Sequence, residues 1–432
     1  MKQTRNHAVV IGGSMAGMLA ARVLAERFER VTIVERDRYP EGAENRRGVP
    51  QGRHTHGLLA SGREIIERLF PGISVSLLEA GAVPCDVCRD GYWFQQGGPL
   101  ARVASGLDGF VASRPLIEAA VRERVRRLEN VRVVEDCAVE GLLTGEGRVT
   151  GVRTARGPME ADLVVDASGR GSRAPGWLSE LGYEKAEEER VEIALAYTTR
   201  WFRRDPDCGA PPIVVIPPTP DGKRGGVMLA QEGGRWTVTL IGHFGHVAPE
   251  ELDGFIDYSG TLPSSLIHDV IRQAEPLSEP MSARFPASVR RRYERLTRFP
   301  EGFLVAGDAV CSFNPAYGQG MTAAAFQALE LGMAIDAGWG GLARRFFAGA
   351  AKVVDIPWSI AVGNDLRMPE TVGPRPATVR FINWYVAKLH VAAHRDAVCS
   401  TAFHRVANLL EPPPSIMKPA VAWRVLRANL RR

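Results

Sequence analysis

The first 35 residues follow a strand, helix, strand pattern. Apolar residues run together over 7–11 and 30–35, and residues 18–28 between them repeat apolar side chains at helical spacing. The glycine-rich stretch 12–17 separates the first strand from the helix. This order predicts a βαβ unit with two parallel strands.

Further along the chain the spacing of apolar residues changes. Residues 131–134, 149–154 and 162–165 are strand-like, and Ser113-Arg114-Pro115 predicts the start of a helix over 116–128. Residues 190–246 alternate apolar and polar side chains, which predicts an antiparallel sheet. The five prolines of 211–220 predict a surface connector. After Gly341 the chain is predicted to be mostly helical.

These patterns predict an α/β fold with α+β elements. A discontinuous Rossmann-like domain is expected over 1–75, 101–180 and 284–345, and an antiparallel-sheet domain over 76–100 and 181–283. Residues 346–432 are expected to form a C-terminal helical region. Its last segment, 420–432, is basic and amphipathic, and we expect its apolar face to pack inward; a role at a membrane surface is the alternative. The residues of that face are Val421, Trp423, Val425 and Leu426.

Composition narrows the class of protein. The 432 residues are 45% hydrophobic, and 54 Lys and Arg are scattered among 49 Asp and Glu, for a formal net charge of +5. Because the basic residues form no stripe, no nucleic-acid binding is expected. The longest uncharged stretch, 309–329, is broken by polar residues and a proline, so no membrane span is predicted. Residues 1–10 are too short and polar for a signal peptide, and the cytoplasm is the expected location.

Six cysteines in a chain of this length do not suggest a disulfide framework. Cys85 and Cys88 have the spacing of a redox or metal pair, but no second such pair and no neighbouring histidine accompanies them. We expect reduced thiols and no metal site.

The turn 12–17 has the spacing of a dinucleotide-binding motif. Gly12 permits the tight turn, Gly17 permits close packing of helix on strand, and the amides of Ser14, Met15 and Ala16 would meet a pyrophosphate. The motif's middle glycine is replaced by Ser14. Glu35, followed by Arg36, stands at the end of the second strand, where an acid accepts from a ribose hydroxyl. An acid there disfavours a 2′-phosphate, which suits NAD or FAD at this site.

A second motif begins with Gly307-Asp308 after a strand-like run. Pro315 and the sequence Gly318-Gln319-Gly320-Met321 follow, ahead of a helix. A buried carboxylate such as that of Asp308 needs a polar partner.

Taken together, these motifs resemble the group A FAD-dependent monooxygenases, the family of para-hydroxybenzoate hydroxylase, over nearly the whole chain. The resemblance implies that Asp308 binds the ribityl hydroxyls of FAD and that the amides of the following helix face the flavin pyrimidine. Asp166 and Arg173 match a further family motif, associated with FAD and nicotinamide, although Ala167 and Ser168 interrupt it. Arg53 and Arg114 match arginines of the family that lie against FAD.

Within the family, the string VPQGRHTH and the region around Trp358, Asp365 and 369–371 look most like bacterial flavoprotein epoxidases of polyether biosynthesis. The resemblance implies that NADPH or NADH transiently reduces FAD and that O₂ then forms a flavin C4a-hydroperoxide. The expected substrate is a small hydrophobic specialised metabolite, an alkene in a polyketide or isoprenoid, which would be epoxidised, as in antibiotic biosynthesis. Aromatic hydroxylation is the alternative within the family.

His54, His56 and Tyr317 are the candidate proton donors; ordered loop residues are the favoured interpretation of the two histidines. Residues expected to face the substrate from the antiparallel sheet are Tyr197, Trp201, Met228 and Trp236.

Three other functions remain open. They are an isoprenoid double-bond reductase that uses reduced FAD without O₂, a flavin halogenase, and a nucleotide-binding scaffold or redox sensor. A halogenase is disfavoured because the chain lacks the Trp-x-Trp-x-Ile-Pro motif.

Overall fold

The computed structural model describes residues 5–430, and the ends of the first and last predicted domains, residues 1–4 and 431–432, lie outside it. The strands, numbered in chain order, are β1 (Arg5–Ile11), β2 (Phe28–Val34), β3 (Val83–Asp86), β4 (Gly91–Gln95), β5 (Gly98–Pro99), β6 (Asp108–Val111), β7 (Val131–Val134), β8 (Val139–Gly145), β9 (Arg148–Thr154), β10 (Gly157–Glu160), β11 (Leu163–Asp166), β12 (Glu188–Arg203), β13 (Ile213–Ile216), β14 (Arg224–Gln231), β15 (Arg235–His243), β16 (Met281–Arg291), β17 (Phe303–Val305) and β18 (Cys311–Ser312). The helices are α1 (Met15–Ala25), α2 (Ala60–Leu69), α3 (Ile73–Glu79), α4 (Arg114–Arg126), α5 (Ala174–Glu180), α6 (Leu252–Gly260), α7 (Leu266–Ile271), α8 (Gly320–Asp336), α9 (Leu342–Asp365), α10 (Ala377–Ala393), α11 (Ala397–Ala407) and α12 (Pro419–Leu430).

A parallel five-stranded sheet forms the first layer, in the order β17-β11-β1-β2-β7. Ile11 pairs with Val34 on one side and with Asp166 on the other, and Asp166 pairs with Val305. The turns that follow these four strands therefore meet at one edge of the sheet. That edge, where the strand order reverses, is where open α/β sheets bind ligands.

An eight-stranded sheet, β18-β16-β12-β15-β14-β13-β4-β5, forms the second layer, and it is antiparallel except between β13 and β4. Smaller sheets of β8–β10 and of β3 with β6 complete the strands. The mixed α/β fold with a Rossmann-like sheet, an antiparallel layer and C-terminal helices is as the sequence predicts. The five parallel strands lie within the segments predicted for the first domain; the domain boundaries stay a prediction.

Local predictions needed two corrections. The helix expected over 18–28 begins at Met15 and ends at Ala25, because Phe28 already belongs to β2. The prediction of a connector over 211–220 is wrong for Ile213–Ile216, which form β13 between β14 and β4. The prolines flank this strand and so do not interrupt its hydrogen bonds.

The C-terminal helices close the molecule over the sheets. In the described part of the chain, α9 alone is long and apolar enough to cross a membrane, with a mean hydropathy of 1.3 over its most apolar window. It packs along α8, and its buried Phe347 stacks on Tyr293 with ring centroids 5.2 Å apart. We therefore describe α9 as a helix of the folded core.

The prediction of which α12 residues pack inward is only partly confirmed. Val421 and Val425 are buried, as expected for a helix that packs inward. Trp423 and Leu426, assigned to the same face, are 59% and 58% exposed. The inward stripe is therefore narrower than the sequence pattern indicates.

Candidate active site

The turns that follow β1 and β17 touch at the carboxyl edge of the parallel sheet. Gly12 has a φ of +94°, and a β-carbon there would lie 2.8 Å from the carbonyl oxygen of Ala167. A β-carbon on Gly307 would lie 2.6 Å from that of Ala16. Side chains at either glycine would therefore push the turns apart. Two motifs that are distant in sequence form one site.

The backbone at Ser14 explains why the middle glycine of the motif is not needed. Its φ of −92° and ψ of −168° are open to any residue. The Ser14 hydroxyl donates to Glu118 Oε2 at 3.0 Å and accepts from Arg114 Nη2 at 2.9 Å. No Ser14 side-chain cap covers the first turn of α1. The amides of residues 15–17 are therefore available to an anion.

The Glu35 carboxylate is buried and holds the glycine-rich turn. It accepts from the backbone N–H of Gly13 at 2.8 Å and of Asp37 at 2.9 Å. Arg46 Nη1 lies 3.2 Å from its Oε2. Because a carboxylate has about four lone-pair positions, one remains for a ribose hydroxyl.

The predicted arginines occupy two different environments. Arg36 and Arg53 are exposed at the rim, where a phosphate can approach them. Arg114 is buried and lies 3.2 Å from Glu118 Oε2. Its charge still acts on the site, because it favours the charged form of the Asp308 carboxyl.

The Asp308 carboxyl is half-buried beside the start of α8. Burial raises its pKa, while the charges of Arg114 and Arg170 act in the opposite direction, and no hydrogen bond contributes from the described part of the chain. Gln319 precedes α8 without capping it, so the amides at Gly320 and just beyond are also available. An unpartnered acid next to an uncapped helix start fits a ligand that carries hydroxyl groups.

The Asp166 carboxylate holds the loop that follows β11. It is fully buried, and it accepts from the Ser168 N–H at 2.9 Å and from the Ser172 hydroxyl at 2.6 Å. These two bonds leave lone-pair positions on both oxygens, and the contact of Asp166 with the cofactor stays a prediction. Arg173 is exposed, with its guanidinium carbon 5.6 Å from the centroid of the Trp177 ring.

His54 and His56 lie in the 50–57 loop, which links the carboxyl edge of the parallel sheet to the antiparallel sheet. His54 hydrogen-bonds Thr199 through Nδ1 at 2.8 Å, and its ring lies edge-on to Tyr197 with centroids 4.5 Å apart. His56 Nδ1 lies 3.0 Å from the His54 carbonyl oxygen. Since a carbonyl only accepts, Nδ1 of His56 carries the proton and Nε2 presents a lone pair.

The same two histidines are neutral near pH 7. Burial lowers the pKa of His54 to about 4, with a smaller contribution from Arg53. Burial and the charge of Arg114 lower the pKa of His56 to about 3. Neither is an imidazolium proton donor at neutral pH, and their contacts support the interpretation as ordered loop residues.

Tyr317 and Asp365 form a buried hydrogen-bonded pair. Asp365 Oδ1 accepts from the Tyr317 hydroxyl at 2.7 Å and from Asn314 Nδ2 at 2.8 Å. Burial raises the pKa of Asp365 to about 7, although these two hydrogen bonds lower it. Burial also raises the pKa of Tyr317 well above its usual value, so the phenol keeps its proton. In the described part of the chain Asp365 Oδ2 has no hydrogen-bond partner, which leaves it as the oxygen that carries the acid proton.

A cavity of about 390 Å³ lies between the 314–319 loop, the antiparallel sheet and the C-terminal helices. Most of its surface is apolar, and the polar side chains on its wall include those of His56, Tyr317 and Asp365. A smaller cavity of about 60 Å³ adjoins it and shares His56 and Gly318. Pockets of the larger size hold drug-sized molecules. The apolar residues of its wall include Leu58, Phe110, Leu229, Met368, Val386 and Val406.

The alternation of side chains along the strands corrects the prediction of which sheet residues face the substrate. Tyr197 lines the smaller cavity. Met228 and Trp236 lie on the opposite face, in a core covered by α6 and α7. Trp201 shares the parity of Tyr197, but its ring lies under the Arg235 guanidinium, 4.3 Å away, and lines neither cavity. The prediction is therefore wrong for Met228 and Trp236, because both faces of this sheet are apolar.

The residues at the carboxyl edge fit FAD. The amides of 15–17, with Arg36 and Arg53 at the rim, would hold the pyrophosphate. The unpartnered Asp308 would accept from the ribityl hydroxyls. The uncapped start of α8, at Gly320 and Met321, would face the flavin pyrimidine, beyond the turn formed by Pro315 and Gly318.

The predicted thiol pair lies beside the larger cavity. Cys85 and Cys88 are buried and free. Burial raises the pKa of Cys85 to about 12 and of Cys88 to about 11. Both are thus protonated thiols at neutral pH, a form that is a poor nucleophile and metal ligand.

Three residues of the cavity were missed as site residues. Asp365 entered the sequence interpretation only through a regional resemblance, and Arg367 and His390 did not enter it. The uncharged helical run 356–364 directly before Asp365 is a signal, because a charge at the end of such a run needs a reason. His390 had no comparable signal, since its surroundings come from other elements.

Comparison with known proteins identifies the family of this chain. The sequence model described as "FAD dependent oxidoreductase" matches residues 8–235. Protein Rv3254 of Mycobacterium tuberculosis (strain ATCC 25618 / H37Rv) is 34% identical, over 99% of this chain and 94% of its own length.

Solved structures share the fold at low identity. One is pqsL, a probable FAD-dependent monooxygenase from Pseudomonas aeruginosa, with a TM-score of 0.64, 17% identity, and coverage of 84% of this chain and 98% of that chain. Another is the flavin-dependent brominase Bmp2, with a TM-score of 0.62, 14% identity, and coverage of 98% and 93%. At these identities the likeness concerns the fold.

Proposed function

Because this chain belongs to the FAD-dependent oxidoreductase family, we propose that it is a monooxygenase that epoxidises an alkene in a small apolar molecule. NADPH or NADH is the transient reductant and O₂ the second substrate. A polyketide or an isoprenoid is the proposed substrate class, and the cytoplasm the proposed location. The observation that carries the proposal is the apolar cavity of about 390 Å³ that begins at the 314–319 loop.

FAD, when bound, supplies the activation of O₂ and the electrons for it. The chain's part begins with holding the cofactor: Asp308 accepts from its hydroxyls, and the amide dipoles at the start of α8 favour negative charge beside them. His54 fixes the 50–57 loop to the sheet through Thr199, whose hydroxyl lies 2.7 Å from that of Thr239. This three-residue link positions the sheet as the roof of the site.

The cavity wall excludes water and orients an apolar substrate. Because most of the surface that the wall presents is apolar, an apolar molecule that replaces water there gains free energy. The same exclusion protects reactive oxygen chemistry from side reactions. The substrate carbon is thereby held next to the loop 314–319.

Asp365 is the proposed proton donor. Its Oδ1 is held by Asn314 and Tyr317, and its buried Oδ2, which has no hydrogen-bond partner in the described part of the chain, would donate to an oxygen atom of a bound ligand. The pKa of about 7 lies close to a neutral working pH, so this carboxyl group can both donate and accept a proton. After donation, the two hydrogen bonds to Oδ1 stabilise the carboxylate.

An alkene requires less of the site than a phenol does. A hydroxylase of phenols gains from a base that removes the phenolic proton, and the pKa values of His54 and His56, about 4 and 3, make both poor bases for that purpose. Asp365, with a pKa of about 7, is the cavity residue that could accept such a proton. An alkene needs no base, and only the proton donor is required of the chain. Halogenation is disfavoured as well, because no lysine lines either cavity.

Incorporation of oxygen from ¹⁸O₂ tests this function. Purified FAD-loaded protein is incubated with NADPH or NADH and with geraniol as an alkene probe or 4-methylphenol as an aromatic probe. An epoxide of geraniol that contains one ¹⁸O supports the proposal. A labelled catechol with no epoxide would replace it by aromatic hydroxylation, and saturated alcohol formed without O₂ would replace it by double-bond reduction.

A further inference from the structure

The wall of the large cavity carries, close to Tyr317, an arginine that has no acidic partner in the described part of the chain. Arg367 lies just after α9 and lines the cavity. Its Nη1 donates to the side-chain oxygen of Asn364 at 2.8 Å. In the described part of the chain, no carboxylate oxygen lies within 4.0 Å of its nitrogens. Burial lowers the pKa of Arg367, which reflects the free energy that the unpaired charge costs.

A histidine with two unpartnered nitrogens lines the same cavity. His390 of α10 is 3% exposed, and neither Nδ1 nor Nε2 has a hydrogen-bond partner in the described part of the chain. Its ring is held edge-on by Phe403, with centroids 4.6 Å apart. Burial and then the charge of Arg367 lower the pKa of His390 to about 3, so the ring is neutral. A neutral imidazole has one N–H to donate and one lone pair.

Both side chains line the same cavity, and the helices beside them pack against each other. The charge of Arg367 also contributes to the low pKa of His390. Arg367 lies just after the end of α9 and His390 in the last turn of α10, so the arrangement exists only in the folded protein. Both groups lower stability while no ligand is bound, because the partly buried arginine charge has no counter-charge and neither imidazole nitrogen has a hydrogen-bond partner in the described part of the chain. A ligand that satisfies both would remove this penalty on binding.

We infer that Arg367 and His390 form a binding subsite for the carboxylate of an otherwise apolar substrate. The guanidinium would donate two parallel hydrogen bonds to one carboxylate, which neutralises the charge. The His390 N–H would donate to a lone pair that the guanidinium leaves free. A neutral hydroxyl could satisfy the imidazole but would leave the arginine charge uncompensated. The ligand class is therefore an apolar carboxylic acid, anchored by its carboxylate.

This inference rests on the proposed function only in taking the cavity as the substrate site. Asn364 connects the subsite to the loop 314–319, because its side chain accepts from Arg367 Nη1 at 2.8 Å and donates to the Tyr317 hydroxyl at 2.6 Å. The bound carboxylate would therefore lie near this loop. The carbon chain would extend from it along the apolar wall of the cavity.

Geranic acid and geraniol share one carbon skeleton and differ in the head group, so they make a matched pair of probes. Binding is measured at pH 7.5 by the change in flavin absorbance of oxidised, FAD-loaded protein, without reductant. The native protein is expected to bind geranic acid roughly 10- to 100-fold more tightly than geraniol. Equal affinities for the two probes would overturn the inference.

Variants test the two residues separately. Arg367→Met is expected to remove the preference for the acid, and His390→Leu to reduce it several-fold. Arg367→Lys keeps the charge and should retain part of the preference. Arg380→Met is the matched control, because Arg380 is exposed on α10, lines neither cavity, and its loss changes the net charge equally. A preference that survives Arg367→Met, or that Arg380→Met abolishes as well, would contradict the subsite.

Different experimental results would contradict the subsite and the proposed function. Because no turnover is needed, a protein that oxygenates nothing can still show the acid preference and its dependence on Arg367. Conversely, epoxidation of both probes with equal affinity would leave the function standing without the subsite. Thermal unfolding provides an internal check: His390→Leu should raise Tm in the absence of ligand, since it removes two unpartnered polar atoms. A lower Tm would show that His390 has a structural role instead.

Discussion

The Tyr317 hydroxyl donates a hydrogen bond to Asp365 Oδ1, with 2.7 Å between the two oxygens. This contact joins the loop at the cofactor edge to the end of α9, and it leaves Oδ2 of the same carboxyl without a partner in the described part of the chain. Asn364 Nδ2 donates to the phenol oxygen at 2.6 Å, so the tyrosine is held from two sides. The pair therefore fixes a protonatable oxygen on the wall of the apolar cavity.

Replacing Asp308 should weaken FAD binding. The carboxylate has no partner in the described part of the chain, so hydroxyls of the cofactor are its expected donors. Hydrogen bonds to charged groups contribute about 1.5–3 kcal/mol each, so Asp308→Ala should raise the Kd of FAD roughly 10- to 100-fold. Fluorescence titration of the apoprotein with FAD measures this change. Asp221→Ala removes an acid from an exposed turn and should leave the Kd unchanged; the same weakening in both variants would argue against a specific role.

Asp365 should make stability depend on pH. Its pKa rises from 3.8 to about 7 on burial, so between about pH 4 and 7 the folded protein holds a proton that the unfolded chain has lost. Raising the pH through this window should lower the free energy of unfolding, by on the order of 4 kcal/mol in total. Asp365→Asn removes this dependence. Urea unfolding of both proteins at pH 5 and pH 8 checks the prediction, and a constant difference between them would contradict it.

Tyr317→Phe should shift the pKa of Asp365 upward. The phenol stabilises the carboxylate by donating to Oδ1, so its loss favours the protonated acid. The alkaline limb of substrate-dependent NADPH or NADH oxidation should then move to higher pH. Tyr385→Phe is the control, because that hydroxyl donates to the Ile416 carbonyl at 2.7 Å, away from Asp365. An unshifted limb in Tyr317→Phe would remove Asp365 from the proton transfer.

Adjacent residues of β14 should have opposite phenotypes. Met228 is buried against the core beneath α6 and α7, whereas Leu229 lines both cavities. Met228→Ala should lower the free energy of unfolding by about 2–5 kcal/mol and leave ligand affinity unchanged. Leu229→Ala should alter the affinity for geraniol. Urea unfolding and flavin absorbance titration separate the two effects, and a change in affinity in Met228→Ala alone would reverse the assignment of the faces.

The residues at the carboxyl edge of the parallel sheet could be predicted because the sequence patterns that indicate them are local. The β1-α1-β2 unit is encoded by hydrophobic period and by glycines at fixed spacing, and Asp308 stands directly after a buried strand. Ser14 was an apparent departure that the backbone makes harmless, since its φ is negative. The resemblance to flavoproteins is confirmed at the level of the family.

The substrate side could not be predicted to the same depth. Alternation along β14 shows that Met228 and Leu229 point to opposite faces, but both faces are apolar, and only the docking of α6 and α7 distinguishes them. His390 and Arg367 come together through the packing of α10 against α9, which no local pattern encodes. The motif around Asp166 likewise does not reveal that its carboxylate accepts from Ser168 and Ser172 and so holds its own loop.

The most direct measurement of the central claim mixes anaerobically reduced protein with oxygenated buffer and follows absorbance on the millisecond scale, with and without geraniol or geranic acid. The account predicts a transient spectrum that differs from both reduced and oxidised flavin and that decays faster when an alkene is present. Direct return to oxidised flavin without a transient, at a rate unaffected by either alkene, would contradict a monooxygenase and favour a reductase.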